Sequence, residues 1–187
     1  MFTVDQSARL LQAALDHDLQ LLPWFVLGLF CGIRPNGELG KLTWSSVHLV
    51  EKQVVISPEV SKTKRRRFID ISNNALEWLA EYMRRGGSII GKIVPAQKFT
   101  NRRRAIQARA GVEKWIQQGM RHSFCSYWLA KHEDANRLVL QSGHTDAQTM
   151  WDNYHAGVTK AEAEKFWSIL PPKNGAKVIP FPEVKRA

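Results

Sequence analysis

The chain has 187 residues, 44% of them hydrophobic, which is the size and apolar share of one domain with a sizeable core. Twenty-seven lysines and arginines against 17 acids leave a formal charge of +10, which selects a polyanionic partner, nucleic acid ahead of an anionic membrane. The longest apolar run, residues 21–31, falls far short of the roughly 18 residues of a membrane helix, and the amino terminus has no secretory cleavage pattern.

In chain order, Thr3 and Gln6 form a capping box ahead of a first helix with Leu11, Ala14 and Leu15 on its apolar face. Pro23 suits the first turn of a second helix, apolar all round and so expected in the centre of the core. Cys31 and Cys125 both lie in apolar surroundings, as free buried thiols of a reducing, cytoplasmic compartment would; no Cys/His cluster has metal-ligand spacing. Arg34 follows the second helix directly and needs an anionic partner. That partner is either Glu38, four residues on, or a phosphate gripped by the guanidinium fork.

Residues 53–56 and 68–71 are β-branched or aromatic runs bounded by polar residues, and they predict a pair of strands. Between them, Ser61-Lys62-Thr63-Lys64-Arg65-Arg66-Arg67 is a cationic hairpin, a solvated turn or a phosphate contact. Asn73 or Asn74 is expected to cap a helix carrying Leu76, Leu79, Tyr82 and Met83 inward, with Gly86 beyond its end. Residues 88–98 read as a loop. Residues 99–110 read as a basic helix stopped by Gly111, with Arg102, Arg103, Arg104 and Arg109 spread around it.

The stretch Gly119-Met-Arg-His-Ser-Phe-Cys-Ser-Tyr-Trp-Leu-Ala130 predicts a helix with an apolar stripe of Met120, Phe124, Tyr127 and Trp128, and Arg121 in its first turn. A helix over residues 134–142 follows, with Gly143 as its terminal glycine and His144 directly after. Thr145 with Gln148 suggests a capping box for a short helix, with Tyr154 just past its end and free to reach a ligand. Thr159 with Glu162 caps a last helix bearing Phe166, Trp167 and Leu170. Residues 171–187 read as an extended tail.

Taken together, Gly32-Ile-Arg34, Glu38-Leu39 and Leu42-Thr-Trp44, then Arg121-His122, Gly143-His144 and Tyr154, closely resemble the tyrosine recombinase (phage integrase) family over about residues 8–157. Three departures stand out. Gln118 occupies the first histidine position of the family's His-x-x-Arg, the step from Arg34 to Glu38 is one residue longer, and Ser46 replaces an aspartate. The resemblance implies an α+β catalytic domain over residues 1–170, mainly helical with a small antiparallel sheet, without the family's amino-terminal DNA-clamping domain.

The resemblance further implies a chemistry. Tyr154 would attack a DNA phosphodiester to give a 3′-phosphotyrosyl link. Arg34 and Arg121 would hold the non-bridging oxygens, with His144 and Gln118 hydrogen-bonding the phosphate. Lys62, or its neighbour Lys64, would protonate the leaving 5′ oxygen. Lys64, Arg65, Arg66, Arg67, Arg102 and Arg103 are the expected DNA contacts. Double-stranded DNA is the implied partner, bound by a homotetramer on paired sites or a monomer without DNA, with no metal, ATP or other cofactor. Three alternatives stay open: a DNA-binding relative that no longer cleaves, suggested by Gln118, a type IB topoisomerase-like enzyme, and a basic RNA-associated protein.

Overall fold

The computed structural model describes residues 1–95, 97–144, 146–154 and 157–172. Eight helices and one small sheet make up this part: α1 (Val4–His17), α2 (Leu22–Phe30), α3 (Asn73–Arg84), α4 (Phe99–Arg109), α5 (Gly119–His132), α6 (Ala135–Ser142), α7 (Ala147–Tyr154) and α8 (Lys160–Trp167), with β1 (Val47–His48), β2 (Gln53–Ile56) and β3 (Arg67–Asp70). The fold is thus mainly helical with an antiparallel sheet in the order β1-β2-β3.

Helix α2 sits at the centre. All nine of its residues are buried, as its unbroken apolar sequence requires, and α1, α3 and α5 pack around it. Each large side chain so buried contributes about 1.5–3 kcal/mol. Helix α5 is nearly as deep, enclosed by α2, α7 and α8. Both expected capping boxes form, at Thr3–Gln6 and Thr159–Glu162. The two cysteines are free and buried. Burial raises both thiols, Cys125 to about 12, so neither is a nucleophile at neutral pH.

Several expectations need correction. The second strand begins at Arg67, one residue early, and β1 is an additional short strand paired through Val47 and Val54. Helix α3 is capped by Ser72, not by Asn73 or Asn74, and without a side-chain cap bond. The described residues of 88–98 do form a loop, whose brief apolar content, Ile93 and Val94, is buried; Trp44 N–H donates to the Gly91 carbonyl, and Ile93 N–H donates to that of Leu42. Tyr154 is the last residue of α7 and not beyond it. The Thr145 capping box and the tail from residue 173 lie outside the described residues.

Two glycines shape the turn that leads from α2 into the site. Gly32 (φ +63°) turns the chain out of α2 so near to α5 that a Cβ there would lie 2.3 Å from the Phe124 ring. Gly37 (φ +116°) takes a conformation that other residues rarely adopt, and it lies in the turn between Arg34 and Glu38. The Leu39 N–H then reaches back five residues to the Arg34 carbonyl.

Candidate active site

Glu38 is the first centre of the site. It is 1% exposed, and Arg34 and Arg67 converge on its carboxylate. Arg34 Nη1 donates to Oε1 at 2.8 Å, and Arg67 donates from Nη1 to Oε1 at 3.0 Å and from Nη2 to Oε2 at 2.6 Å. Burial pushes the Glu38 carboxyl up, but Arg67 and then Arg34 outweigh it and hold the group at about 2, so it is ionised throughout the physiological range. Two further donors, the backbone N–H groups of Arg34 and Lys62, lie 3.2 and 3.4 Å from the same carboxylate. One acid therefore fixes the Arg34 turn, strand β3 and the root of the cationic hairpin together.

The second centre is Arg121, 4% exposed in the first turn of α5. Its Nη1 donates to the Gly32 carbonyl at 2.8 Å and its Nη2 to the Ser142 carbonyl at 2.6 Å. Neither Glu133 nor Asp134, the acids that follow α5, is its partner. Among the described residues Arg121 forms no ion pair. Burial, then the neighbouring Arg34 and Arg67, lowers the guanidinium to about 10, which leaves it charged at neutral pH. Arg34 joins this centre through Nη2, which donates to the Gly143 carbonyl at 3.1 Å. The end of α6 thus presents consecutive carbonyls, of Ser142 and Gly143, to two guanidiniums.

His144 follows immediately. Its ring lies 3.3 Å from Arg121 Nη2 and 2.7 Å from the Ser142 hydroxyl, both measured to Nδ1. Burial and then Arg121 lower it to about 4, so it is neutral at pH 7 and serves by hydrogen bonding.

Tyr154 closes the cluster from α7. It was expected free, yet it is buried, 8% exposed, in a small apolar cluster with Phe124, Cys125, Trp128, Leu129, Leu138 and Met150. Its ring centroid is 6.3 Å from that of His144. Its hydroxyl lies 2.9 Å from Nδ1 of His122, the residue after Arg121. Burial raises the phenol to about 12.

The remaining expected residues divide. Lys62, Lys64, Arg65 and Arg66 are exposed on the hairpin, with Lys64 at positive φ in the turn. Gln118 immediately precedes α5 in the left-handed region, with its side-chain Oε1 buried and without a partner. Three expected DNA contacts have partners within the chain. Arg67 is held by Glu38. Arg102 grips Asp18 with two nitrogens and Gln20 with one. Arg103 stacks over Trp115 at 4.3 Å and donates to Gln107. On α4 the exposed arginines are Arg104 and Arg109.

Sequence reasoning missed two parts of this site. Arg67 has the same strand parity as Ile69, so a buried Ile69 already implies an inward Arg67. His122 left only the signal of standing next to Arg121, because its contact with Tyr154 spans 32 residues of sequence.

Comparison with known proteins bears on the fold that carries this site. Among solved structures, XerA recombinase matches with a TM-score of 0.67 at 19% identity, over 93% of this chain and 66% of that one. The catalytic domain of bacteriophage HP1 integrase matches with a TM-score of 0.63 at 19% identity, over 83% of this chain and 86% of that one. The chain thus spans just under two thirds of the XerA chain, and at these identities the likeness is one of fold. No curated protein sequence matches it. A family model, however, matches residues 1–160, from before α1 through the end of α7, and the chain therefore belongs to the phage integrase family.

Proposed function

We propose that this chain cleaves and rejoins double-stranded DNA at specific sites through a 3′-phosphotyrosyl intermediate. The observation that carries the reading is the buried, charged Arg121 without an acid partner, in one hydrogen-bonded cluster with Arg34 and His144 and next to the Tyr154 ring. A buried cation lacking a counter-ion is costly, and a phosphate is the anion whose oxygens two guanidinium forks match.

In this mechanism Tyr154 Oη attacks phosphorus, and Arg34 and Arg121 neutralise the charge that spreads over the non-bridging oxygens. His144, neutral, donates a hydrogen bond to one of those oxygens. Lys62 gives a proton to the leaving 5′ oxygen. The phosphotyrosyl bond conserves the energy of the broken one, so a 5′-hydroxyl from the same or another strand can reverse the step. Glu38 and Arg67 hold Arg34 and the hairpin root in place. Exposed Lys64, Arg65 and Arg66, with Arg104 and Arg109 on α4, supply backbone contacts to DNA. Exchange between two sites needs four active centres, which a homotetramer on paired sites provides.

The test is covalent trapping. A nicked DNA substrate that loses its 5′-hydroxyl fragment on cleavage leaves the protein attached to the 3′ end, and the adduct migrates slowly on a denaturing gel. The wild-type chain forms the adduct, and Tyr154→Phe binds DNA equally but forms none. A wild-type chain that binds DNA and never forms the adduct would instead be a DNA-binding relative that has lost cleavage.

A further inference from the structure

Tyr154 needs a proton acceptor. With its phenol raised to about 12, roughly one molecule in 10⁵ has an ionised tyrosine at pH 7. The nucleophile must therefore lose its proton as it attacks. Three candidates for the acceptor fail on this structure. Gln118 carries an amide, which is no base near neutral pH. His144 has its Nδ1 beside the Ser142 hydroxyl and Arg121, and its ring centroid lies 6.3 Å from that of Tyr154. Lys62 is exposed on the hairpin and holds the proton needed on the opposite side of phosphorus.

One basic atom does lie within reach. His122 Nδ1 is 2.9 Å from the Tyr154 hydroxyl, with the two rings inclined at 38°. The contact comes from the fold itself: α5 presents His122 one residue round from the inward-facing Arg121, and α7 packs against α5 with Tyr154 in its last turn. His122 is only partly covered, and exposed as a residue, so it can exchange a proton with solvent between turnovers.

We propose that His122 is the base that takes the phenolic proton of Tyr154 as its oxygen attacks phosphorus, and returns that proton when the strand is resealed. This rests on the strand-transfer reading above. In the forward step the O–H bond of Tyr154 breaks and a proton moves to His122 Nδ1. The Tyr154 O–P bond forms, the P–O5′ bond breaks, and its electron pair leaves on the 5′ oxygen, which Lys62 protonates. Resealing runs the same transfers backwards, with the His122 imidazolium protonating the departing phenolate. The neutral ring must carry its proton on Nε2 and leave Nδ1 free.

The surroundings favour that neutral form. Burial comes first, followed by the positive amino terminus and Arg121 on its own helix, and together they lower His122 below the usual histidine value. Tyr154 faces it from α7, and neutral His144 lies nearby after α6.

The experiment measures adduct formation from pH 5 to 9 for the wild-type chain, His122→Gln and Tyr154→Phe. At pH 7 His122→Gln is expected to slow the step by about 10²–10⁴, the usual contribution of a general base, with DNA affinity and thermal stability unchanged. Its rate should climb about tenfold per pH unit, because hydroxide must then ionise Tyr154, whereas the wild-type rate should fall only at the acid end where His122 is protonated. A His122→Gln chain with the wild-type rate and profile overturns the base assignment and leaves strand transfer standing. A wild-type chain without adduct overturns both. A nitrogen NMR spectrum of the His122 ring tests the geometry separately: Nδ1 should be unprotonated and should shift in Tyr154→Phe, and a protonated Nδ1 overturns the proposal.

Discussion

The two guanidinium settings of the site are built on opposite principles. Arg34 and Arg67 share the Glu38 carboxylate, and that cluster is electrostatically complete enough to hold three chain segments without a ligand. Arg121 is buried, but among the described residues its donors end on backbone carbonyls and the neutral His144 ring, which carry only partial charge. The first setting therefore organises the site, and the second leaves a positive charge for an incoming anion to compensate. Breaking each should have different consequences: loss of the fold in one case, loss of chemistry in the other.

The largest effect should come from Glu38→Gln. It leaves Arg67 buried, and Arg34 half-buried, without this counter-ion, and breaking a buried pair on one side costs about 3–5 kcal/mol. Thermal or denaturant unfolding reads this directly. A cost below about 1 kcal/mol would show that the cluster does not organise the fold. Glu38 also sets a pH dependence. Its carboxyl lies at about 2 in the folded chain, below the ordinary value, so its contribution is complete above pH 4.5 and disappears as pH falls towards 2. The stability of the wild-type chain should decline through that window, and the decline should be shallower in Glu38→Gln.

Arg121→Ala is the counterpart. It should slow adduct formation by about 10²–10³, the usual loss for one donor aimed at developing charge. Removing this uncompensated charge should cost the fold less than Glu38→Gln does. Sulfate, as a simple oxyanion, should raise the unfolding temperature of the wild-type chain, by about 2.7 kcal/mol of stability at a hundred times its dissociation constant. That gain should vanish in Arg121→Ala. Equal sulfate stabilisation of both chains would place the anion elsewhere and remove the contrast between the two settings.

Much of this contrast was legible in the sequence. The four-residue step from Arg34 made Glu38 one of its two candidate partners, beside a phosphate, and the unbroken apolar run of α2 pointed to its central burial. The same sequence carried Gly-His and tyrosine at spacings that matched the family. What escaped it depends on tertiary context. A run of five cations from Lys62 to Arg67, broken only by Thr63, looks uniform, and the start of β3 at Arg67, paired with Ile56 and in phase with buried Ile69, turns the last of them inward. Phe68, hydrophobic by composition, faces outward at 54% exposure for the same reason. The basic helix α4 looked equally uniform, yet Asp18 and Trp115, both distant in sequence, claim Arg102 and Arg103. Tyr154 looked free because it ends a short helix, while its burial depends on α5 and α6 packing over that helix.

The hairpin offers a third, weaker lever. Lys64, Arg65 and Arg66 are exposed, beyond the Glu38 cluster, so neutralising all three should leave stability within about 0.5 kcal/mol and act on DNA binding alone. Each phosphate contact contributes about 0.9 to the log–log salt slope, so the triple substitution should flatten it by about two to three units. An unchanged slope would make this turn a solvated surface and leave Arg104 and Arg109 as the cations to test next.

The smallest effect should be at Gln118, where the chain departs from the family's histidine. Gln118→His introduces a group able to carry a proton beside α5, but it adds little if the phenolic proton already has a destination at His122. The buried, unpartnered Oε1 of Gln118 means that some hydrogen-bonding capacity is unused there, so a modest gain is physically reasonable. Adduct formation should therefore change by less than about tenfold, or roughly 1.4 kcal/mol of barrier. A rise of several hundredfold from a nearly inactive wild-type chain would mean that the missing histidine was the acceptor. In that case the Tyr154–His122 hydrogen bond would be a resting contact that holds the tyrosine in its apolar pocket. The double substitution Gln118→His with His122→Gln separates these cases: it stays slow if His122 is the base, and matches Gln118→His alone if it is not.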